Sequence, residues 1–128
     1  MKRLEGYTVL IVDDDQDILE SFDLAMRAEG ATTVTAEDGT EAVSVALKSQ
    51  PDAVILDMML PKRSGFLVLE ELLSIEPPPI VVMVTANEGK RHMAYAKTLG
   101  VAAYLIKPVS LDKLINTVSC LLQEEETL

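Results

Sequence analysis

The fold is decided by the stretch Tyr7–Asp15, which reads YTVLIVDDD. Its residues up to Val12 are all aromatic, aliphatic or β-branched, and none is charged. Such an unbroken apolar run is typical of a strand that is buried on both faces. The residues after the aspartates, Gln16–Glu29, place apolar side chains on one helical face, and Gly30 can end that helix. The stretch therefore predicts a buried strand, an acidic junction and an amphipathic helix.

The same strand–helix unit recurs along the rest of the chain. Apolar runs predict further strands at Thr32–Ala36, Ala53–Leu56, Ile80–Val84 and Ala102–Ile106. Helical stripes follow them, at Ala42, Val43, Ala46 and Leu47, at Phe66, Leu69, Leu72 and Leu73, over Lys90–Leu99, and from Leu111 to Leu122 behind a Ser110 cap. Between the second strand and its helix, Glu37–Gly39 is predicted to be a turn. This alternation predicts an α/β fold in which helices cover both faces of a parallel sheet.

Composition excludes several classes of protein. The chain has 128 residues, which suits one domain over 1–128, with a core over about 7–122 and an acidic tail or linker start at 123–128. A net charge of −10 argues against direct binding to nucleic acid or anionic lipid. The apolar runs are too short to span a membrane, no signal peptide precedes them, and the single Cys120 excludes an internal disulfide. We therefore expect a cytoplasmic protein.

Polar residues follow the predicted strands at the points where these end. Five polar residues come directly after an apolar run: Asp13, Asp14, Asp57, Thr85 and Lys107. Because the carboxyl ends of parallel strands lie at one edge of a sheet, these side chains should converge there. Three ionised carboxylates repel each other unless a cation compensates them, and an all-oxygen site suits Mg²⁺. A phosphoryl group could then lie between the metal, the ammonium and the hydroxyl, with a carboxylate as its acceptor.

Taken singly, each of these residues also has a structural interpretation. The aspartates after the first strand could cap the following helix, and Asp15 is the one expected to do so. Asp57 could be an acidic loop residue, Thr85 a buried hydroxyl bonded to backbone, and Lys107 a solvated surface lysine. Their joint occurrence at the ends of four strands is what favours a functional site.

The ordered set of motifs resembles the response-regulator receiver domains, the CheY-like family. The likeness covers about residues 7–122. It rests on Val9–Asp15, on Asp38-Gly39 with Glu41-Ala42, on Asp57-Met58-Met59-Leu60-Pro61 with Gly65, on Val84-Thr85-Ala86, on Gly100 with Ala103-Tyr104, and on Lys107-Pro108. The resemblance implies a doubly wound, flavodoxin-like sheet of five parallel strands in the order 2-1-3-4-5.

The resemblance also implies a role for each site residue. Asp57 would be the phospho-acceptor. Asp14 and Asp57 would bind Mg²⁺, or Mn²⁺ in its place, together with the backbone carbonyl of Met59, and Asp13 would act partly through water. Lys107 would pair with the phosphoryl group, next to a cis peptide between Lys107 and Pro108.

Further implied roles concern signalling. Thr85 and Tyr104 would form the switch, in which the hydroxyl moves toward the phosphoryl group and the ring turns inward. Met59 and Asn87 would tune the lifetime of the phosphorylated state, and Met59 cannot hydrogen-bond a hydrolytic water. The surface of the fourth helix, fifth strand and fifth helix would change, and a homodimer could form through it.

A receiver of this kind is a signalling domain that catalyses only its own phosphorylation and dephosphorylation. The resemblance implies a sensor histidine kinase or a phosphotransfer protein as donor. The output partner or domain is not identified by these residues.

Two other functions use a similar edge of a sheet. A Mg²⁺-dependent hydrolase of the haloacid-dehalogenase type also has an aspartyl nucleophile, but it needs a second acid two residues later, where this chain has Met59. A flavodoxin-like or nucleotide-binding module needs a glycine- or hydroxyl-rich phosphate loop after the first strand, where this chain has Asp13–Asp15.

Overall fold

The computed structural model describes residues 2–86 and 89–127, the last two of these by backbone only. Five strands alternate with five helices in this part of the chain. In chain order they are β1 (Thr8–Val12), α1 (Gln16–Ala28), β2 (Thr32–Ala36), α2 (Gly39–Ser49), β3 (Ala53–Leu56), α3 (Gly65–Leu73), β4 (Ile80–Thr85), α4 (Lys90–Leu99), β5 (Ala103–Ile106) and α5 (Leu111–Thr127). The predicted alternation is confirmed, with boundaries that differ by a residue or two outside α5.

The strands form one parallel sheet in the order β2-β1-β3-β4-β5, as predicted. One row of paired residues crosses the whole sheet near its carboxyl edge: Ala36, Val12, Leu56, Met83 and Tyr104. Asp13 and Asp57 come one residue after this row, and Thr85 comes two residues after it. The register of the sheet therefore brings residues that are far apart in sequence to the same edge.

Each face of the sheet packs against its own hydrophobic core. Val9, Ile11 and Ile55 point into a core with α1 and α5, which we call the α1–α5 core. Leu10 and Leu56 point into a core with α2, α3 and α4, the α2–α4 core. Both sets of side chains are almost fully buried, and successive strand residues alternate between the faces. This burial on both faces is why the strands are continuous apolar runs.

Helix ends follow the expected chemistry. The side chain of Asp15 caps α1 by accepting hydrogen bonds from the backbone of Asp17 and Ile18, as predicted. Ser110 Oγ accepts from the backbone N–H of Lys113 at the start of α5. Gly100 ends α4 with a left-handed φ of 111°, which favours glycine.

The predictions about apolar helix faces were wrong at two leucines. Leu47 of α2 is 60% exposed and Leu111 of α5 is 41% exposed. Helix α2 contacts the sheet through the small side chains of Ala42 and Ala46, and Leu47 is turned away from them. The turn predicted over residues 37–39 is also shorter than expected, because α2 already begins at Gly39.

The N-terminal segment packs onto the α1–α5 core. Leu4 is fully buried there, so the core begins before residue 7. Beside it, Arg3 Nε donates to Glu29 Oε1 at 2.9 Å, and the same guanidinium also contacts Asn116 of α5. None of the helices within the described residues has the length and apolar character to cross a membrane.

Candidate functional site

Three aspartates lie together at the carboxyl edge of the sheet. Asp13 and Asp14 follow β1, and Asp57 follows β3. One carboxylate oxygen from each lies within 4.8 Å of the other two. Asp13 and Asp57 are 2% and 6% exposed, whereas Asp14 is exposed to solvent. The structure thus brings the three predicted carboxylates into one cluster that is buried on one side and open on the other.

The ammonium of Lys107 lies between the two buried carboxylates. Lys107 follows β5, and its Nζ is 2.7 Å from Asp13 Oδ2 and 3.5 Å from Asp57 Oδ2. The Lys107–Pro108 peptide is cis. One cation faces three acidic side chains, so the site keeps an excess of negative charge on its open side.

The backbone of the sheet holds these residues in place. The N–H of Asp57 donates to Val12 O at 3.1 Å, that of Asp13 to Ala36 O at 3.2 Å, and that of Lys107 to Thr85 O at 2.9 Å. The inter-strand hydrogen bonds therefore continue just past the strands. These hydrogen bonds fix the backbone positions of the three residues relative to one another.

Nearby backbone groups hydrogen-bond the two buried carboxylates. Asp13 Oδ1 accepts from the N–H of Asp15 at 2.9 Å, and Asp57 Oδ1 accepts from the N–H of Met59 at 3.3 Å. These bonds fix one oxygen of each side chain and leave the other turned toward Lys107. Both carboxylates are therefore oriented by short local contacts as well as by the sheet.

Burial and charge shift the ionisation of the site. Burial is the largest effect on Asp57 and raises the pKa of its carboxyl group, and the charge of Asp13 adds to this, while Lys107 opposes it. Burial alone would lower the pKa of Lys107, but its hydrogen bond to Asp13 and the charges of Asp57 and Asp13 outweigh this and raise that pKa. Lys107 therefore stays protonated, and the ionised form of Asp57 is less favourable in the folded protein than in water.

The donor set fits a hard divalent cation. The available ligand atoms are carboxylate oxygens, and hard cations prefer oxygen. Because Asp14 is exposed, a cation held there could keep several of its water molecules, as Mg²⁺ usually does. A bound cation would neutralise the negative charge that Lys107 leaves uncompensated in the three-aspartate cluster.

The two residues predicted as a switch lie on one face of the sheet, the face that packs against the α2–α4 core. Thr85 is fully buried, and Tyr104 is half-buried against the α2–α4 core. Both share the orientation of Met83, because strand residues alternate. Burial raises the pKa of the Tyr104 hydroxyl, and the charge of Asp57 contributes to the shift.

Two residues were predicted to tune the lifetime of a phosphorylated state. The side chain of Met59 points outward and is 64% exposed beside Asp57. Asn87 lies outside the described residues.

Sequence reasoning missed a groove next to Lys107. It lies between α1 and the segment that precedes α5, has a volume of about 610 Å³, and is mainly apolar. Its walls include Ile18, Phe22, Pro108 and Leu111. Ile18 and Phe22 lie on the apolar face that was predicted for the helix over Gln16–Glu29, and the approach of residues 108–111 to that face depends on the tertiary fold.

Comparison with known proteins agrees with this architecture. The family model described as "Response regulator receiver domain" matches residues 9–119. The protein named Probable transcriptional regulatory protein TcrX, from Mycobacterium tuberculosis, is 37% identical over 96% of this chain and 53% of its own length. Transcriptional regulatory protein PrrA of the same species is 34% identical over 90% of this chain and 49% of its own. The chain spans about half the length of these curated relatives.

Solved structures show the same fold. A CheY-like response regulator receiver domain from Methanospirillum hungatei JF-1 has a TM-score of 0.91 at 27% identity, and the match covers 97% of this chain and 98% of that one. The receiver domain of the Francisella response regulator 1452 has a TM-score of 0.87 at 28% identity, covering 94% and 99%.

These matches give no support to the haloacid-dehalogenase alternative. The family model covers most of the chain, including the three aspartates and all the strands except the first residue of β1. The structural matches extend over nearly the whole of both chains. The chain belongs to the response regulator receiver domain family and is a receiver domain of the two-component type.

Proposed function

We propose that Asp57 is the residue that accepts the phosphoryl group. The observation that carries this proposal is the position of its carboxylate, which lies within reach of both Lys107 and the other two aspartates. A carboxylate oxygen of Asp57 forms a bond to phosphorus while the P–N bond of a donor phosphohistidine breaks, and the electron pair stays on the imidazole nitrogen. Hydrolysis of the resulting acyl phosphate by water returns the carboxylate and inorganic phosphate.

Charge neutralisation is the main task of the other site residues. Mg²⁺, with Mn²⁺ as a substitute, would be held by Asp13, Asp14, Asp57 and the carbonyl of Met59, and it supplies positive charge for the phosphoryl oxygens. Lys107, whose Nζ lies 2.7 Å from Asp13 Oδ2, would supply a second positive charge. The ammonium lies near the Asp57 oxygen before transfer, so little rearrangement is needed for it to pair with a phosphoryl oxygen.

The signal would leave the site through Thr85 and Tyr104. Both lie on the face of the α2–α4 core, and the charge of Asp57 contributes, after burial, to the raised pKa of the Tyr104 hydroxyl. A phosphoryl group that binds the Thr85 hydroxyl would favour the conformation in which the Tyr104 ring fills the space beside it. The change is a shift between two packed states, which phosphorylation biases by its contacts in one of them.

A sensor histidine kinase or phosphotransfer protein would be the donor. The apolar groove between α1 and α5 opens beside Lys107, where a partner could dock and present its phosphohistidine to Asp57. The single exposed Cys120 and this signalling role suit the cytoplasm. The domain is proposed to have no enzymatic activity beyond its own phosphorylation and dephosphorylation.

The output surface is proposed to be α4, β5 and α5, and a homodimer could form through it. Helix α4 exposes Lys90, Arg91 and Lys97 and has no acidic residue, although the whole chain carries a net charge of −10. Helix α5 exposes Asp112 and acidic residues near its end. Opposite charges on neighbouring elements could pair across a twofold axis. Size-exclusion chromatography with light scattering tests this: beryllofluoride should shift the mass toward a dimer.

Phosphorylation by a small donor tests the proposed acceptor. The protein is incubated with acetyl phosphate and MgCl₂ and analysed by intact mass. One added phosphoryl group is expected, and it should be absent in Asp57→Asn and after chelation of Mg²⁺. Asp52→Asn is the matched control, because Asp52 lies before β3 at the other edge of the sheet. A well-folded protein that gains no phosphoryl group would contradict the proposal.

A further inference from the structure

The loop between β3 and α3 carries two of the proposed metal ligands. Its first half is anchored by the buried Met58, whose carbonyl accepts from the N–H of Gly65 at 2.8 Å. We call residues 57–64 the site loop, since it contains Asp57 and the carbonyl of Met59. Within it, Lys62 has a left-handed φ of 69°, which residues other than glycine adopt at a cost. Met59 is largely exposed. The second half of the loop, which contains this strained residue, is where contacts from a neighbouring segment would add most to its positioning.

The residues before and at the start of α2, Asp38 and Gly39, provide that support. The N–H of Gly39 donates to the carbonyl of Pro61 at 3.3 Å. A Cβ atom on Gly39 would lie 2.5 Å from the Cβ of Arg63 and 2.7 Å from its carbonyl oxygen, too close for any side chain. Gly39 is thus required for close approach, because the site loop packs directly on its Cα.

An ion pair adds to this contact. One oxygen of Asp38 caps α2 by accepting from the N–H of Glu41 at 2.8 Å, and the other lies 3.3 Å from Nζ of Lys62. Both contacts lower the pKa of Asp38, the hydrogen bond from Glu41 more than Lys62. The pair joins the strained residue of the site loop to the cap of α2.

The same segment also reaches the other side of the acidic cluster. The carbonyl of Ala36, two residues before Asp38, accepts the hydrogen bond from the N–H of Asp13. The end of β2 and the start of α2 therefore contact both sides of the cluster, Asp13 on β1 and the site loop after β3, without contributing a ligand.

We propose that Asp38 and Gly39 are positioning residues, which set the place of the Met59 carbonyl relative to Asp13, Asp14 and Asp57 and thereby the affinity for Mg²⁺. The inference rests on the proposed function, because it assumes that the Met59 carbonyl is a metal ligand. Outer groups that orient metal ligands commonly contribute about 10-fold or more to metal affinity.

Substitution at Gly39 tests the close approach. Gly39→Ala should weaken Mg²⁺ binding about 10-fold by isothermal titration calorimetry. It should also shift the amide resonances of Met59 and Lys62 in the metal-free protein. The control is Gly30→Ala, which strains a φ of 94° at the far edge of the sheet. It should lower the free energy of unfolding but leave Mg²⁺ affinity unchanged.

A second substitution separates positioning from general damage to the fold. Arg63→Gly removes the Cβ atom nearest to a side chain at position 39. The double variant Gly39→Ala/Arg63→Gly should therefore recover part of the lost Mg²⁺ affinity, whereas a merely destabilising effect would become worse with an added glycine.

Substitution of Lys62 separates the positioning effect of its ion pair with Asp38 from the effect of its positive charge on a nearby cation. Removing a positive charge near a cation site should by itself strengthen Mg²⁺ binding. Loss of positioning predicts the opposite, about threefold weaker binding in Lys62→Met, the size expected for an exposed ion pair. Lys48→Met, an exposed lysine elsewhere on α2, is the control.

The outcomes distinguish the two proposals. If the wild-type protein does not bind Mg²⁺, the proposed function fails and this inference fails with it. If the wild type binds Mg²⁺ and Gly39→Ala binds it equally well, only the positioning role is overturned. Equal or tighter binding by Lys62→Met would overturn the contribution of the ion pair.

Discussion

Nζ of Lys107 lies 2.7 Å from Oδ2 of Asp13, although 94 residues separate them in the chain. Both side chains are mostly buried, so this ion pair is shielded from solvent. Removing one partner of a buried pair leaves the other charge without compensation, which costs more than the pair itself contributes. The contact therefore links the stability of the domain to the chemistry of its site.

Lys107→Met should impair both properties. We expect the free energy of unfolding to fall by about 3 kcal/mol at pH 7, because Asp13 and Asp57 then face each other without a cation. Labelling by acetyl phosphate should fall at least about tenfold through loss of charge neutralisation. Urea denaturation and intact-mass time courses measure the two effects. Lys113→Met, at an exposed site on α5, should change neither.

Asp57→Asn should stabilise the metal-free domain at neutral pH. Burial raises the pKa of Asp57, so its ionised form is penalised in the folded state. Replacing it with a neutral amide removes that penalty, and we expect a gain on the order of 1 kcal/mol.

The gain from Asp57→Asn should depend on pH in a defined direction. It should be full above the folded pKa and vanish below the unfolded pKa, where Asp57 is protonated in both states. Urea denaturation at several pH values in the presence of a chelator measures it. Glu20→Gln, an exposed position on α1, serves as the control. A lower free energy of unfolding in Asp57→Asn would contradict the conclusion that the ionised form of Asp57 is penalised in the folded state.

Met59→Asn should shorten the lifetime of the phosphorylated state. A methionine side chain cannot hold a water molecule for attack on the acyl phosphate, whereas an amide can orient one. Because Met59 is 64% exposed, the substitution should leave stability almost unchanged. The decay of the phosphorylated mass after removal of acetyl phosphate gives the rate. An unchanged decay rate would show that this position does not govern hydrolysis.

Arg3→Met should destabilise the domain in a pH-dependent way. The hydrogen bond from Arg3 lowers the pKa of Glu29, and it joins the N-terminal segment to the end of α1. A lowered carboxyl pKa means that the stabilisation is fully present above the ordinary pKa of 4.5 and is lost as the pH falls through the folded pKa. The difference between Arg3→Met and wild type should therefore close in acid.

A double-mutant cycle tests whether Glu29 is the partner responsible. In the Glu29→Gln background, Arg3→Met should have a smaller effect at pH 7, and the effect should no longer change between neutral and acidic pH. An Arg3→Met effect of the same size in both backgrounds would show that the contact with Asn116 matters more.

Most of the architecture could be predicted because it depends on local pattern. The unbroken run Val9–Val12 shows that β1 is covered on both faces, and the polar residue after each run marks the functional edge. Cap residues such as Asp15 and Ser110 are recognisable because they act within one turn of the helix. What could not be predicted depends on how a helix is rotated against the sheet. From periodicity alone, Leu47 and Leu111 were predicted to lie on packed helix faces, but both are exposed.

The succession of strands and helices and the residues at the carboxyl edge could be read from the amino-acid pattern, because hydrophobic periodicity and capping are short-range properties. Three other features depend on tertiary packing: Lys107 bridges Asp13 and Asp57, Leu4 belongs to the core, and Gly39 contacts the site loop. Distances between side chains arise when the sheet register and helix packing bring distant segments together.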